Sequence, residues 1–185
     1  MEQILTAEER SALLKAARGA IEVRLKAERS ARQPAPSGEL GKPHGAFVTL
    51  TRQGRLRGCI GFVIAERPLL DTVREAAQAA AFQDPRFPPL QARELPEIHL
   101  EISVLSEPRP VTDLGQIQVG RHGLIVRRAA RSGLLLPQVA TEYGWDRDTF
   151  LSHTCAKAGL PEDCWRDPGT QIELFDAEVF GEPGS

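Results

Sequence analysis

Cys59 lies in the run Leu56, Arg57, Gly58, Cys59, Ile60, Gly61, with Arg55 just ahead of it. In an extended segment alternate side chains share a face. The spacing therefore predicts Arg55, Arg57 and Cys59 on one polar face, with Leu56, Ile60, Phe62 and Ile64 on the other. A guanidinium beside a thiol favours the thiolate, the form that attacks electrophiles and binds metals. Gly58 and Gly61 bring no side chains, and in a strand such glycines mark a bulge or the close approach of another backbone or a ligand. These residue types suit nucleophilic or acceptor chemistry at sulfur, with Arg57, Gly58 and Gly61 shaping the place where a substrate would sit. The competing reading is a small apolar side chain filling strand space, because free cysteine is among the most buried residue types.

Two distant residues could complete such a site. His122, between Arg121 and Gly123, offers an imidazole that titrates in the range a thiol's base requires; its bland reading is a polar residue at a strand start. Arg86 lies in the proline-rich stretch Asp84, Pro85, Arg86, Phe87, Pro88, Pro89, Leu90. That stretch is stiff by construction, and its arginine could hold a carboxylate or phosphate in two-pronged fashion, or tie the loop down through Asp84. Cys59, Arg86 and His122 are expected to line one cleft. His99 and Glu101, on one strand face, read as an ordinary solvated edge. No phosphate-binding glycine loop, zinc-binding H-E-x-x-H, G-x-S-x-G elbow or dinucleotide fingerprint occurs. The sequence names no cofactor and no metal site.

The elements that must position these groups follow from periodicity. Thr6 and Glu9 make a capping box ahead of Leu13, Leu14, Ala17, Ile21 and Leu25, predicting a first helix that runs to Ala27 or Ser30. Pro34, Pro36, Gly38 and Gly41 predict a loop or linker over 31–43. Val48 and Leu50 alternate with Phe47, Thr49 and Thr51, and Gln53 with Gly54 supplies a turn, so the cysteine strand is expected in a hairpin. Pro68 fits the first position of a helix that Asp84 and Pro85 stop. Ile98, Leu100, Ile102 and Val104 form the clearest strand. A second hairpin is expected around a turn containing Ser132 and Gly133, with Arg127, Arg128 and Arg131 at its solvated tip. Asp146 caps a helix with Phe150, Leu151, Thr154, Cys155 and Ala158 inward and Gly159 at its end. The last strand, 172–179, slips its alternation once, as a bulge would make it do. Helices and hairpins without βαβ alternation predict an α+β fold with mainly antiparallel sheet and flanking helices.

The chain has 185 residues, 41% of them hydrophobic, enough for one good core or two small ones. A net charge of -2 gives no reason to expect nucleic acid or an acidic membrane surface as partner. Three cysteines without a C-x-x-C pair do not make a disulfide framework. Reduced thiols are expected, with Cys155 and Cys164 simply packed in apolar surroundings. No secretory leader and no stretch of roughly 20 apolar residues is present, so a cytoplasmic protein is expected. Oligomeric state is not encoded in any pattern here.

The hexapeptide resembles the signature of the AMMECR domain family, also called AmmeMemoRadiSam system protein A. The likeness extends to Gly45, Ala46, Phe47, Val48, to the stretch from Asp84 to Leu90, to Arg121, His122, Gly123, Leu124, and to the run from Ser132 to Val139. It implies a single AMMECR-type domain over 1–185, built as two subdomains in one compact body with the signature near the cleft between them. It also implies Memo-like and radical SAM proteins as partners. It assigns no reaction: thiol-dependent group transfer at Cys59 and a non-catalytic protein-interaction module both remain open.

Overall fold

The computed structural model describes residues 4–26, 36–64 and 66–183. The chain divides into two compact units, one of Met1–Leu105 with Glu178–Ser185 and one of Ser106–Ala177. Its elements are helices and antiparallel strands, the α+β class the sequence predicts.

In the first unit, helix α1 (Ala7–Leu25) starts at the expected capping box, in which Thr6 Oγ1 accepts the Glu9 N–H and the Glu9 carboxylate accepts the Thr6 N–H. It ends on Lys26, so its expected continuation to Ala27 or Ser30 lies outside the described residues, as do residues 31–35 of the expected linker. The rest of that linker carries a 3-10 turn, Gly38–Gly41, whose Glu39 N–H is held by Glu9. Strands β1 (Ala46–Arg52) and β2 (Arg55–Phe62) form the predicted hairpin, its tight turn made by Gln53 and Gly54, both at positive φ. Helix α2 (Leu69–Phe82) begins one residue later than expected, with Pro68 as its cap. Strand β3 (Ile98–Leu105) pairs with β1, giving the order β2-β1-β3. Val48, Leu50, Leu100, Ile102 and Val104 point to a core filled by Leu13, Ala17 and Ile21 of α1 and Val73, Ala76 and Ala77 of α2. Glu182 closes this unit beside β3: its N–H donates to Leu100 O, and its carboxylate accepts the Leu100 N–H and the Arg18 guanidinium.

The second unit holds β4 (Arg109–Pro110), the hairpin of β5 (His122–Arg128) and β6 (Arg131–Leu135), helices α3 (Pro137–Glu142) and α4 (Arg147–Lys157), and most of β7 (Gln171–Gly181). Strand β7 pairs with β4 and β5. The hairpin turn lies at Ala129 and Ala130, not at Ser132 and Gly133, which are strand residues. The reason is packing. A Cβ on Gly133 would stand 2.3 Å from the Ala158 nitrogen, so the glycine is required where the end of α4 lies on β6. The arginines of the tip are each engaged: Arg127 with Glu173, Arg128 with Asp167, Arg131 with Gly159 O. The expected slip in β7 is also absent, since residues 171–176 pair regularly with β5. Leu174 and Phe175 are both buried because both faces are covered, Leu174 by the core of Phe150, Leu151 and Leu124, and Phe175 by its own position over Gly123. Asp146 caps α4 as expected, accepting the Thr149 N–H at 2.8 Å.

Cys155 and Cys164 are joined in a disulfide, which corrects the expectation of reduced thiols. Both are buried, as their apolar neighbours predict. What sequence spacing hides is that Gly159, at positive φ, lets the chain leave α4 and return, bringing the two Cα atoms to 6.1 Å.

Candidate functional site

Cys59 is the one free cysteine among the described residues and is half-buried. It pairs with Thr49 across β1 and β2, and Thr49 in turn pairs with Glu101 of β3. Cys59, Thr49 and Glu101 therefore form a row across three strands on one sheet face. The Thr49 hydroxyl is 3.3 Å from the Cys59 Sγ. The opposite face belongs to the helices: a Cβ on Gly58 would lie 2.2 Å from the Ala80 carbonyl oxygen, so this glycine exists to let α2 rest on the strand. Gly61 serves the other face, where the Phe47 ring occupies the space a side chain would need.

A bulge decides the arginines. The β1–β2 register shifts between Leu50 and Thr51, so that Leu50 faces Gly58 while Thr51 faces Leu56, and Arg57 is the extra residue. The expected alternation is thereby broken. Leu56 takes the cross-strand position two pairs along from Cys59 and is 44% exposed. Arg57 is buried and turned to Glu94, to which it donates from Nε (2.9 Å) and Nη2 (3.1 Å), with Nη2 also reaching Pro88 O. Its Nη1 is buried without a hydrogen-bond partner. The Arg57 guanidinium beside Glu94 is the chief cause of that carboxyl's low pKa, about 2.

Arg86 instead is the cation that meets the cysteine. Helix α2 ends at Phe82, and Asp84 folds back under the edge strand. One of its oxygens accepts the Cys59 N–H at 2.9 Å, and its carboxylate accepts Arg86 N–H, Nε–H and Nη2–H. Arg86 Nη2 also lies 3.4 Å from the Cys59 carbonyl oxygen. Both backbone groups of Cys59 are thus taken by a single loop, which covers part of an edge that would otherwise be open to another strand. Asp84 is only 4% exposed, and the Arg86 guanidinium holds its carboxyl far below the ordinary range despite burial. The Arg86 side chain is 54% exposed, and among the described residues only its Nε and Nη2 are bonded. The Phe87 ring takes the guanidinium of Arg86 at 5.4 Å and that of Arg57 at 6.0 Å.

His122 belongs to the second unit, and its hydrogen bonds are made there. Its Nδ1 accepts the Gln118 N–H at 3.1 Å, which leaves the ring proton on Nε2, 3.8 Å from the Asp176 carboxylate. It is buried, and burial holds its pKa below the usual histidine value. Sequence reasoning missed Thr49, Asp84 and Glu101 as neighbours of the thiol. The sequence offered Asp84 as a helix stop and a tie for Arg86, not as the acceptor of the Cys59 N–H; strand register placed the other two. Among the described residues no group of three or more His, Cys, Asp or Glu is arranged to hold a metal ion, and no helix is long and apolar enough to cross a membrane.

The family model described as AMMECR1 matches residues 14–180. A protein of Methanothermobacter thermautotrophicus is 47% identical over 187 residues, covering 97% of this chain and 97% of its own length. Protein MK0488 of Methanopyrus kandleri is 47% identical, with 98% of this chain and 92% of its own length covered. The crystal structure of uncharacterized protein PH0010 from Pyrococcus horikoshii superposes with a TM-score of 0.83 at 44% identity, covering 92% of this chain and 90% of that one. The fold is therefore shared, and none of these relatives carries an assigned function.

Proposed function

The chain belongs to the AMMECR1 family, and from that premise we propose that Cys59 is its working group, a nucleophilic or acceptor thiol in group transfer carried out alongside Memo-like and radical SAM proteins. The observation that carries this reading is the Asp84–Arg86 clasp on the Cys59 backbone. A strand residue whose N–H and carbonyl are both engaged by one rigid loop keeps its Sγ in a fixed place, the condition a reacting atom needs. The thiol itself is left half-buried, where a purely packing cysteine would be sealed. Arg86 offers its Nη1, unbonded among the described residues, to an anionic substrate group. Gly58 and Gly61 keep the strand narrow beside it. In this reading the thiol proton is lost to solvent and the Thr49 hydroxyl, 3.3 Å away, donates to the sulfur; His122 is not assigned as base because its Nδ1 already accepts the Gln118 N–H.

A second reading, the non-catalytic interaction module, is favoured by the exposure of Leu56 (44%), which opens the signature, and of Ile64 (64%), three residues beyond it. Alkylation separates the two. Native protein treated with iodoacetamide is expected to lose the Cys59 thiol faster than free glutathione does at the same pH, and Arg86→Gln is expected to slow that loss roughly threefold to tenfold. Alkylation slower than glutathione in the folded protein, with no change in Arg86→Gln, would transfer the argument to the interaction module.

A further inference from the structure

The second unit places one aromatic ring, Tyr143, on its surface. The chain has one tyrosine and two tryptophans, and Tyr143 is 69% exposed. Its ring stacks on Trp145 with centroids 5.0 Å apart and planes 16° from parallel, and Trp145 stacks on His153 at 3.9 Å and 12°. Trp145 is rooted in the core that contains Phe150 and Leu151. Tyr143 is therefore an outward-facing ring already held in place before anything binds, and such a ring loses little conformational freedom on association.

Charge around the ring selects what it can hold. Glu142 and Asp146 are exposed acids with no ion pair among the described residues, whereas Arg147 is engaged with Asp148 at 2.9 Å. The Thr149 hydroxyl and the Thr149 N–H both favour the charged form of Asp146, which keeps its carboxyl below the usual range. The nearest other cation along the helix, Lys157, is one turn beyond His153, at the far end of the stack. Glu142 directly precedes Tyr143 and Asp146 follows it by three residues, so a phosphate-bearing chain meets two exposed acids in the same short segment. A guanidinium meets both a π face and the countercharge it requires.

We propose that Tyr143 is the anchor for an arginine side chain presented by an extended segment of a partner protein, stacked on the ring and flanked by Glu142 and Asp146. This surface is separate from the Cys59 reading and stands whether or not that reading does.

The test uses the full chain. Because Tyr143 is the sole tyrosine, its ring resonances report on this site alone. An acetylated, amidated Gly-Arg-Gly-Arg-Gly peptide is expected to shift the Tyr143 ring protons saturably, and the lysine counterpart to bind at least threefold more weakly. By calorimetry, Tyr143→Leu is expected to weaken the arginine peptide at least tenfold. The pair Glu142→Gln with Asp146→Asn, in which asparagine still caps α4, is expected to weaken it at least threefold with an unchanged melting curve. The proposal is overturned if the arginine peptide causes no shift, or if the lysine peptide binds equally well. It is also overturned if single-stranded oligothymidine shifts the ring more than the arginine peptide, or if dilution alone moves the resonances, which would make the stack a self-association surface.

Discussion

The two units solve one packing problem the same way and close themselves by different chemistry. Each lays a helix backbone directly on a strand glycine, Ala80 over Gly58 in the first and Ala158 over Gly133 in the second. Each also pairs a glycine with an aromatic ring across adjacent strands, Gly61 with Phe47 and Gly123 with Phe175. The closures differ. The first unit ties its edge strand with an aspartate–arginine clasp, and the second ties α4 to the segment after it with a disulfide. A disulfide consumes both of its thiols. The clasp holds only backbone, and it leaves the cysteine it holds with a free sulfur. The free sulfur is thus in the unit that is closed by charge.

The shared feature gives the largest expected effect. Gly58→Val and Gly133→Val each force a side chain into helix backbone, and each is expected to cost about 3 kcal/mol or more, seen as a fall in melting temperature of roughly 6–12 °C for a chain of this size. If either variant melts like the parent, the helix is not bound to that glycine and the likeness between the units fails. Gly133 is the sharper case, because its requirement arises from packing in a strand that a turn-based reading of the sequence would not have imposed.

The closures give the next effect, and they should separate cleanly. Cys155→Ser with Cys164→Ser removes a cross-link closing a short loop, worth about 2 to 3 kcal/mol on chain-entropy grounds. Hydrogen exchange should rise in α4 and β6 while β1 and β2 keep their protection. Asp84→Ala leaves the part-buried Cys59 N–H without its acceptor and should cost about 1 to 3 kcal/mol. Its exchange pattern should be the reverse, with new opening along β2 and none in α4. Opening that spreads equally through both units in either variant would show that the closures are not local.

Acid gives the smallest effect and distinguishes charge from covalent closure. Glu94 has its folded pKa lowered from 4.5 to about 2, and Asp84 is lowered further. A depressed carboxyl pKa stabilises the fold above the unfolded value, and that contribution is lost as pH falls from about 4.5 toward about 2. By about pH 3.5 each such group should have lost on the order of 1 kcal/mol of its contribution. Exchange at the Cys59 amide, held by Asp84, should therefore accelerate below about pH 3.8 relative to the disulfide-closed α4. Equal acid sensitivity in the two regions would remove the distinction.

Much of the fold is written locally. The capping box at Thr6 and Glu9, the Gln53 and Gly54 turn, the alternation of β3 and the Asp146 cap all act over a few residues, where spacing and side-chain chemistry suffice. The prominence of Cys59, Arg86 and the two flanking glycines was legible for the same reason. Their arrangement was not. A single extra residue at Arg57 turned that guanidinium to Glu94, 37 positions away, and the edge of β2 received Asp84 from 25 positions away. The row of Cys59, Thr49 and Glu101 exists only through the register of three strands. The disulfide depended on a helix end that folds back on itself. Local periodicity states which face a residue takes within its own element. Which partner it meets there depends on register, bulges and close backbone contacts, and those are fixed only when the whole core packs at once.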